Sequence, residues 1–355
     1  MHIHVVAAAE LAPSQAADWS RWQQADPALQ SPLFRPEFTQ AVAAVRDGVE
    51  VAVLEEDGQS VGFFPFQRVP GDVGTAVAGR LCDFQGVIAR QGLAWTAAEL
   101  VRGSGLSAFH FHAALACQEP FRRCAWGQAD SAHIDLSGGY DAYQQKLRDR
   151  GSEEMRKTAQ KARKMQRELG PLRFAPQTGD QRVLQTLIQW KLQQYRRTKA
   201  VNFLAGAWKI TLLENLLQCQ GSEFSGMLSA LCAGDRLVAA HFGLRSAGVL
   251  HGWFPAYDPE FAKYSPGQVF WQQLLQAACA LGIRRIDLAR GEERFKSSLM
   301  SGAIPVVEGS VDFRHVRKWI RRSWFHTCRW IRSSPLRGLA RGVARNTRAW
   351  LGYSR

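Results

Sequence analysis

Two stretches of the chain arrange apolar and polar residues on one plan. "VEVAVLEEDGQSVGFFPFQRV" sets two apolar runs around Glu56-Asp57-Gly58-Gln59, the pattern of a β-hairpin closed by an acid-glycine turn. "FSGMLSALCAGDRLVAAHFGLRSAGVLHGWF" repeats it far downstream, and the second strand of each copy ends on an arginine, Arg68 and Arg245. The shared plan predicts two copies of one α/β unit. Around the first hairpin, "SPLFRPEFTQAVAAV" predicts a helix starting at Pro36, with Phe38, Val42 and Val45 on one face. "DFQGVIA", a helix near Trp95 to Val101 and the strand "SAFHFHAAL" complete that unit by "HIDLSGGYDAY".

The most informative pattern lies in the second unit. "YSPGQVFWQQLLQAACALG" reads as a turn, a helix and a glycine stop, and "IRRIDLARGEERFK" follows as a short strand with an acid inside it. Ser265 suits the N-cap, where a hydroxyl accepts from an orphan backbone N–H, and Pro266 suits the first helical position. Gly267 removes a side chain, so a ligand can approach the backbone. Phe270, Leu274, Ala277, Ala278 and Leu281 form the stripe that docks the helix, and Gly282 ends it. Such a helix start is either simply well capped or a seat for an anion such as a pyrophosphate.

Between the units, "YDAYQQKLRDRGSEEMRKTAQKARKMQRELG" is a charged helical stretch. Its mixed charges fit a solvated face or a basic ridge turned toward an anionic ligand. The expected division is therefore 1–140, a first unit without a Ser-Pro-Gly counterpart; 141–172, a helical linker; 173–315, the unit holding the site; and 316–355, a tail.

Length and composition fit this plan. The chain has 355 residues, 46% hydrophobic and 21% charged, enough for two buried cores. Seven scattered cysteines without a C-x-x-C pair argue against a disulfide framework or zinc site and for a reducing cytoplasm. No secretory signal or spanning segment is expected. Charge changes the picture in one place. Of a formal net +14, eleven Lys and Arg residues with no Asp or Glu lie from Val316 onward, so the body is nearly neutral. "VRKWIRRSWFHTCRWIRSS" puts Val316, Ile320, Trp324, Cys328 and Ile331 on one stripe among arginines. That pattern suits an anionic membrane surface, packing onto the body, or an RNA-binding arm.

The segment "AAHFGLRSAGVLHGWFPAYDPEFAKYSPGQVFWQQLLQAACALGIRRIDLARGEERFKSSL", through "AYD", "YSPG" and "DLARGEERFK", resembles GNAT-superfamily acyltransferases of the cellulose and exopolysaccharide biosynthesis (CelD-like) type. It is more distantly similar to the FemAB peptidoglycan aminoacyl ligases, and "SPLF-RPEF" and "DFQGVIA" extend the likeness into the first unit. The resemblance implies tandem GNAT-like units, each an α/β (α+β) mixed twisted sheet flanked by helices, plus the basic helical tail. It implies acetyl-CoA or another acyl-CoA as donor, no metal, and a sugar or amine acceptor on an envelope polysaccharide or its precursor. The donor pyrophosphate would rest on Ser265, Pro266, Gly267, Gln268 and Val269. The glycine-rich phosphate loop of simple GNAT enzymes is replaced here by Ser-Pro-Gly, and FemAB relatives use aminoacyl-tRNA, so a tRNA-dependent ligase is the rival reading. A non-catalytic partner of a polysaccharide synthase is a third.

Direct acyl transfer needs oriented reactants, an oxyanion donor and a proton acceptor. The oxyanion donor would be a main-chain N–H between Leu250 and Phe254. His241 interrupts the apolar strand "LVAAHFGL" beside small neighbours Ala239 and Gly243, and is either the base or a core histidine. Asp287, a candidate for a structural or acceptor-orienting role rather than the base, lies inside a hydrophobic strand, where an unpaired carboxylate costs several kcal/mol; Arg290, Lys296 or a turn would partner it. Glu292 and Glu293 are alternative acids for base or acceptor roles, and Lys296 suits the donor phosphate or carbonyl. Trp253, Tyr257 and Tyr264 either stack on sugar rings or pack in the core. His110 and His112 share a strand face in "FHFH" but have no third ligand nearby, so no metal site is expected there. The expected location is cytoplasmic, with peripheral contact at the inner membrane surface through the tail.

Overall fold

The computed structural model describes residues 1–290 and 294–333 of the chain. Its strands are β1 (His2–Ala7), β2 (Val49–Glu56), β3 (Gln59–Val69), β4 (Val73–Thr75), β5 (Ile88–Ala89), β6 (Ala108–Leu115), β7 (Ala125–Asp135), β8 (Leu172–Ala175), β9 (Ser225–Ala233), β10 (Arg236–Ser246), β11 (Val249–Tyr257), β12 (Arg285–Arg290) and β13 (Gly302–Asp312). They form one mixed sheet in the order β1-β2-β3-β4-β6-β13-β7-β12-β11-β10-β9-β8, with β5 on β3. Helices flank it, giving a mixed α/β arrangement.

The hairpins form where the acid-glycine turns require. Asp57 and Gly58 both have positive φ, 50° and 75°, the geometry that matches the twist of the flanking strands. The helix over Pro36–Ala43 buries Phe38 and Val42, and Val45 follows its end. Thr96 and Glu99 close a capping box on the helix Ala97–Gly103. The charged stretch is two helices, Gly139–Asp149 and Glu154–Leu169, broken at Gly151 with φ 73°.

The halves are tied by an exchange that local pattern does not show. β13, from the end of the second half, lies between β6 and β7 of the first, and β7 pairs in turn with β12 of the second. One apolar core also draws on both halves, joining Trp19, Phe34 and Phe38 to Leu184, Leu212, Phe242 and Phe254. The sheet is therefore continuous across the expected boundaries.

β11 and β12 are parallel neighbours for only three residues, Val249 to His251 against Arg285 to Asp287. Beyond His251 they part, and Trp253 forms a bulge against β10, between the pairs Gly243–Gly252 and Phe242–Phe254. This split opens the sheet between the eighth and ninth strands of that order.

Candidate active site

A cavity of ≈ 680 Å³ occupies the split. Its floor is the β11 edge from Gly252 to Tyr257, which has no strand partner on the β12 side among the described residues. Its walls come from Leu288 to Arg290 of β12, the turn Ser265–Gln268, the helix Gln181–Thr198, the linker helix Glu154–Leu169 and the loop around Arg80 and Asp83 of the first half. Among the described residues the lining carries five basic groups, Arg80, Lys161, Lys191, Arg290 and Lys296, against two acids, Asp83 and Glu154. A partly enclosed site lined mainly by one sign concentrates anions.

The turn opens onto this cavity, but not as the sequence predicts. Ser265 is left-handed (φ 52°, ψ 56°) and its side chain caps nothing. Its Oγ accepts instead from Lys161 Nζ at 2.5 Å. Its carbonyl accepts from the N–H groups of Gln268 (2.9 Å) and Val269 (3.2 Å). Pro266 has no N–H, so Gly267 supplies the main-chain donor left at this helix start. Ser265, Gly267 and Gln268 line the cavity, whereas Pro266 and Val269 are buried behind it. The basic residue standing at this turn is Lys161, from the charged linker helix.

A Cβ placed on Gly267 would meet Tyr257 Cδ1 at 3.5 Å, an ordinary contact. Protein packing does not demand glycine there; the space it leaves belongs to the cavity. Gln268 Nε2 also donates to Glu154 Oε2 at 3.3 Å, so the linker helix clasps the turn at two points.

The remaining expected residues divide. Trp253 lines the cavity, its Nε1 donating to Leu81 O at 2.9 Å, and Tyr257 lies open at the rim. Arg290 lines it too, with Nε buried and lacking a hydrogen-bond partner among the described residues. Lys296 lines it, buried, with Nζ donating to Arg290 O at 2.8 Å. Tyr264 does not reach it: the ring is buried and its hydroxyl donates to Glu168 Oε2 of the linker helix at 2.7 Å. Glu292 and Glu293 lie outside the described residues.

Asp287 is 0% exposed and takes a two-pronged ion pair from Arg285, Nε–Oδ1 2.9 Å and Nη2–Oδ2 3.4 Å. The partner stands two residues back on the same face of the strand, rather than being Arg290 or Lys296. Asp287 is not among the cavity residues, and its carboxylate is paired within β12. His241 is likewise 0% exposed and absent from the lining. Its ring sits against Phe270 and Trp271, and neither nitrogen has a hydrogen-bond partner among the described residues. Burial, with His251 and Lys191 nearby adding to it, pulls the imidazole down to about 3. A group so weakly basic is a poor proton acceptor near neutrality.

His110 and His112 are structural. His110 Nδ1 pairs with Ser310 Oγ (2.7 Å), and His112 Nε2 with the Cys82 carbonyl (3.0 Å). Burial lowers both to about 3.

One pair had no signal as a site in the pattern of the chain. Asp83, from "DFQGVIA", lines the cavity of the other half, and its Oδ2 lies 3.2 Å from Nε2 of the fully buried His251.

Residues 153–297 match the acetyltransferase (GNAT) domain family. No curated protein sequence matches. Among solved structures the chain is similar to FemX (TM-score 0.56, 8% identity, 83% of this chain and 94% of that one). It is also similar to the C-terminal domain of a protein described as a lysylphosphatidylglycerol synthetase from Agrobacterium fabrum (0.54, 12%, 86% and 94%). A third is L-PGS from Bacillus licheniformis (0.51, 12%, 88% and 97%). At these identities the likeness is one of fold. The fold is that of GNAT-type acyltransferases, with the matched segment covering the linker helix, β8 to β12 and the turn.

Proposed function

We propose that this protein transfers an acyl group, acetyl in the first instance, from acyl-CoA to a hydroxyl or amine of a saccharide such as an envelope polysaccharide or its precursor. The observation that carries the reading is the meeting of two features in one cavity. The Ser265–Gly267 turn, with Lys161 upon it, offers a seat for phosphate, and the parting of β11 from β12 offers a slot with an unpaired main-chain edge. A donor with phosphates at one end and a slender thioester arm at the other suits that pairing. Gly267, Gln268, Lys161 and Lys296 would take the phosphates, and an N–H of the β11 edge the carbonyl oxygen. Trp253 and Tyr257, aromatic faces lining the same cavity, suit stacking on a sugar ring.

The test is to incubate the pure protein with acetyl-, malonyl- and longer acyl-CoAs and a panel of amino sugars and oligosaccharides, following thiol release and thermal stabilisation. Stabilisation by CoA and acceptor-dependent thiol release are expected. Stabilisation by charged tRNA with no response to any CoA would replace the donor and favour aminoacyl transfer, which the basic face of the linker helix suits. Binding without turnover of either would favour a non-catalytic partner of a synthase.

The tail gives the reading a place. The helix His315–Ser333 follows β13, Phe325 packs over Gly127, and Trp319 and Trp330 stand 70% and 62% exposed. Eleven residues apart, the two rings fall on one helical face about 16 Å apart and roughly 100° around the helix from the expected stripe. Of that stripe, Ile320 is exposed and Trp324 half-buried; the side chains of Val316, Cys328 and Ile331, and residues 334–355 of the tail, lie outside the described residues. The two exposed rings give the layout of a helix resting on an anionic bilayer surface. No helix among the described residues is long and apolar enough to cross a membrane. Binding to anionic vesicles that is lost in a chain ending at His315 is expected; equal binding by both would remove the idea.

A further inference from the structure

We infer that Asp83 is the proton acceptor of this site and His251 its positioning residue, a pair assembled across the two halves of the molecule. The inference rests on the acyl-transfer reading above and assigns it the base.

The loop carrying Asp83 is fixed from three sides. Phe84 is buried against Phe34 and lies edge-on to the His251 ring, centroids 6.1 Å apart. Gln85 bonds through its main chain to Ala113 (2.9 Å) and Leu115 (3.0 Å), and its Oε1 accepts from the His112 N–H at 3.0 Å. Just upstream, the Leu81 carbonyl accepts from Trp253 Nε1, at the bulge of β11. A carboxylate on so rigid a loop has little freedom to be elsewhere.

His251 is the last residue of β11 paired with β12, so it marks the vertex of the split. A carboxylate oxygen only accepts, so the 3.2 Å contact to Asp83 Oδ2 assigns the proton to Nε2. Nδ1 is buried with no hydrogen-bond partner among the described residues. The ring has therefore one polar interaction, and it aims the acid. Asp83 is 20% exposed and lines the cavity, so its other oxygen is left for the solvent or substrate side. Among the described acids of the lining, Glu154 is engaged by Gln268 at the donor turn. Asp83 is the acid at the vertex.

In the step this supports, the acceptor O–H or N–H gives its proton to Asp83 as its oxygen or nitrogen bonds the thioester carbonyl carbon. The tetrahedral oxyanion collapses, the C–S bond breaks, and the leaving thiolate takes the proton from Asp83. Carboxylate and site are restored with no other reactant.

The experiment uses the full chain with acetyl-CoA and whichever acceptor the wild type uses. Asp83→Asn is expected to lower kcat by about 10²- to 10⁴-fold, the usual reach of a general base. The KM for acetyl-CoA and the thermal shift on adding CoA should stay at the wild-type level, which also shows that the variant is folded. His251→Leu should lower kcat at least tenfold. His251→Gln, whose amide N–H can still reach Asp83, should recover most of the loss. Wild-type kcat in Asp83→Asn, or a Gln variant no better than the Leu one, overturns the assignment and leaves acyl transfer standing. A folded wild-type chain that uses no acyl-CoA overturns both.

Discussion

Lys161 and Ser265 meet at 2.5 Å although 104 residues separate them along the chain. The contact brings an ammonium from the linker helix onto the start of the helix Pro266–Ala278, where one cavity-facing main-chain donor remains. A diphosphate binding there would exchange a hydroxyl partner for a charged one. Charge-assisted hydrogen bonds contribute about 1.5–3 kcal/mol, so Lys161→Ala should raise the KM for acyl-CoA about tenfold or more. The kcat at saturation should change little. Initial-rate measurements at two ionic strengths check it; an unchanged KM would remove Lys161 from the donor seat.

Gly267→Ala separates binding from stability. A Cβ there meets Tyr257 at 3.5 Å without crowding, and alanine gains about 0.5–1 kcal/mol over glycine inside a helix. The variant should therefore melt at or above the wild-type temperature. Its methyl group would nonetheless stand where a phosphate must approach the backbone, so CoA-induced stabilisation should fall at least severalfold. A Tm well below wild type would mean that the glycine serves packing.

Much of the architecture is legible in the pattern of residues. Asp57-Gly58 and Gly234-Asp235 close hairpins because acid-glycine pairs tolerate the turn, and Pro266 opens a helix whose apolar stripe, Phe270, Leu274 and Ala278, is buried. What is not legible is partnership at a distance. Nothing in "GAIPVVEGSVD" tells that β13 lies between β6 and β7, since period and propensity define a strand but not its neighbour. The same gap hid Asp83: a single acid in a loop carries no period, and its role comes from His251, 168 residues away. His241 and Asp287 drew notice as polar residues in apolar strands. That signal registers burial as readily as chemistry.

Asp287→Asn tests the structural side of this division. The carboxylate is fully buried against Arg285, itself 19% exposed, and breaking a buried pair by removing one charge costs about 3–5 kcal/mol. A loss toward the lower end of that range is expected, because Arg285 keeps some access to water. Denaturant unfolding should show it as a lower midpoint with an unchanged slope. In conditions where the variant is folded, kcat should stay within about threefold, against the far larger loss in Asp83→Asn. A selective collapse of kcat at full stability would instead place Asp287 in the chemistry.

The buried histidines give the molecule a pH dependence of known sign. His110, His112 and His241 are each lowered to about 3 by burial, from about 6.5 in the unfolded chain. Between those values the unfolded chain binds more protons, so the stability these groups confer is fully present above about pH 6.5 and is lost as pH falls toward 3. Each histidine contributes a slope of up to about 1.4 kcal/mol per pH unit in that window. His241→Leu removes one share of the slope and, since neither ring nitrogen is bonded, leaves no orphaned partner behind. Its unfolding free energy at pH 5 should exceed that of the wild type, and acyl transfer at pH 7.5 should persist within about threefold. If the variant were stable and folded but inactive at pH 7.5, a ring sealed among Phe270 and Trp271 in this conformation would have to reach the substrate in another, and the base would be His241 rather than Asp83.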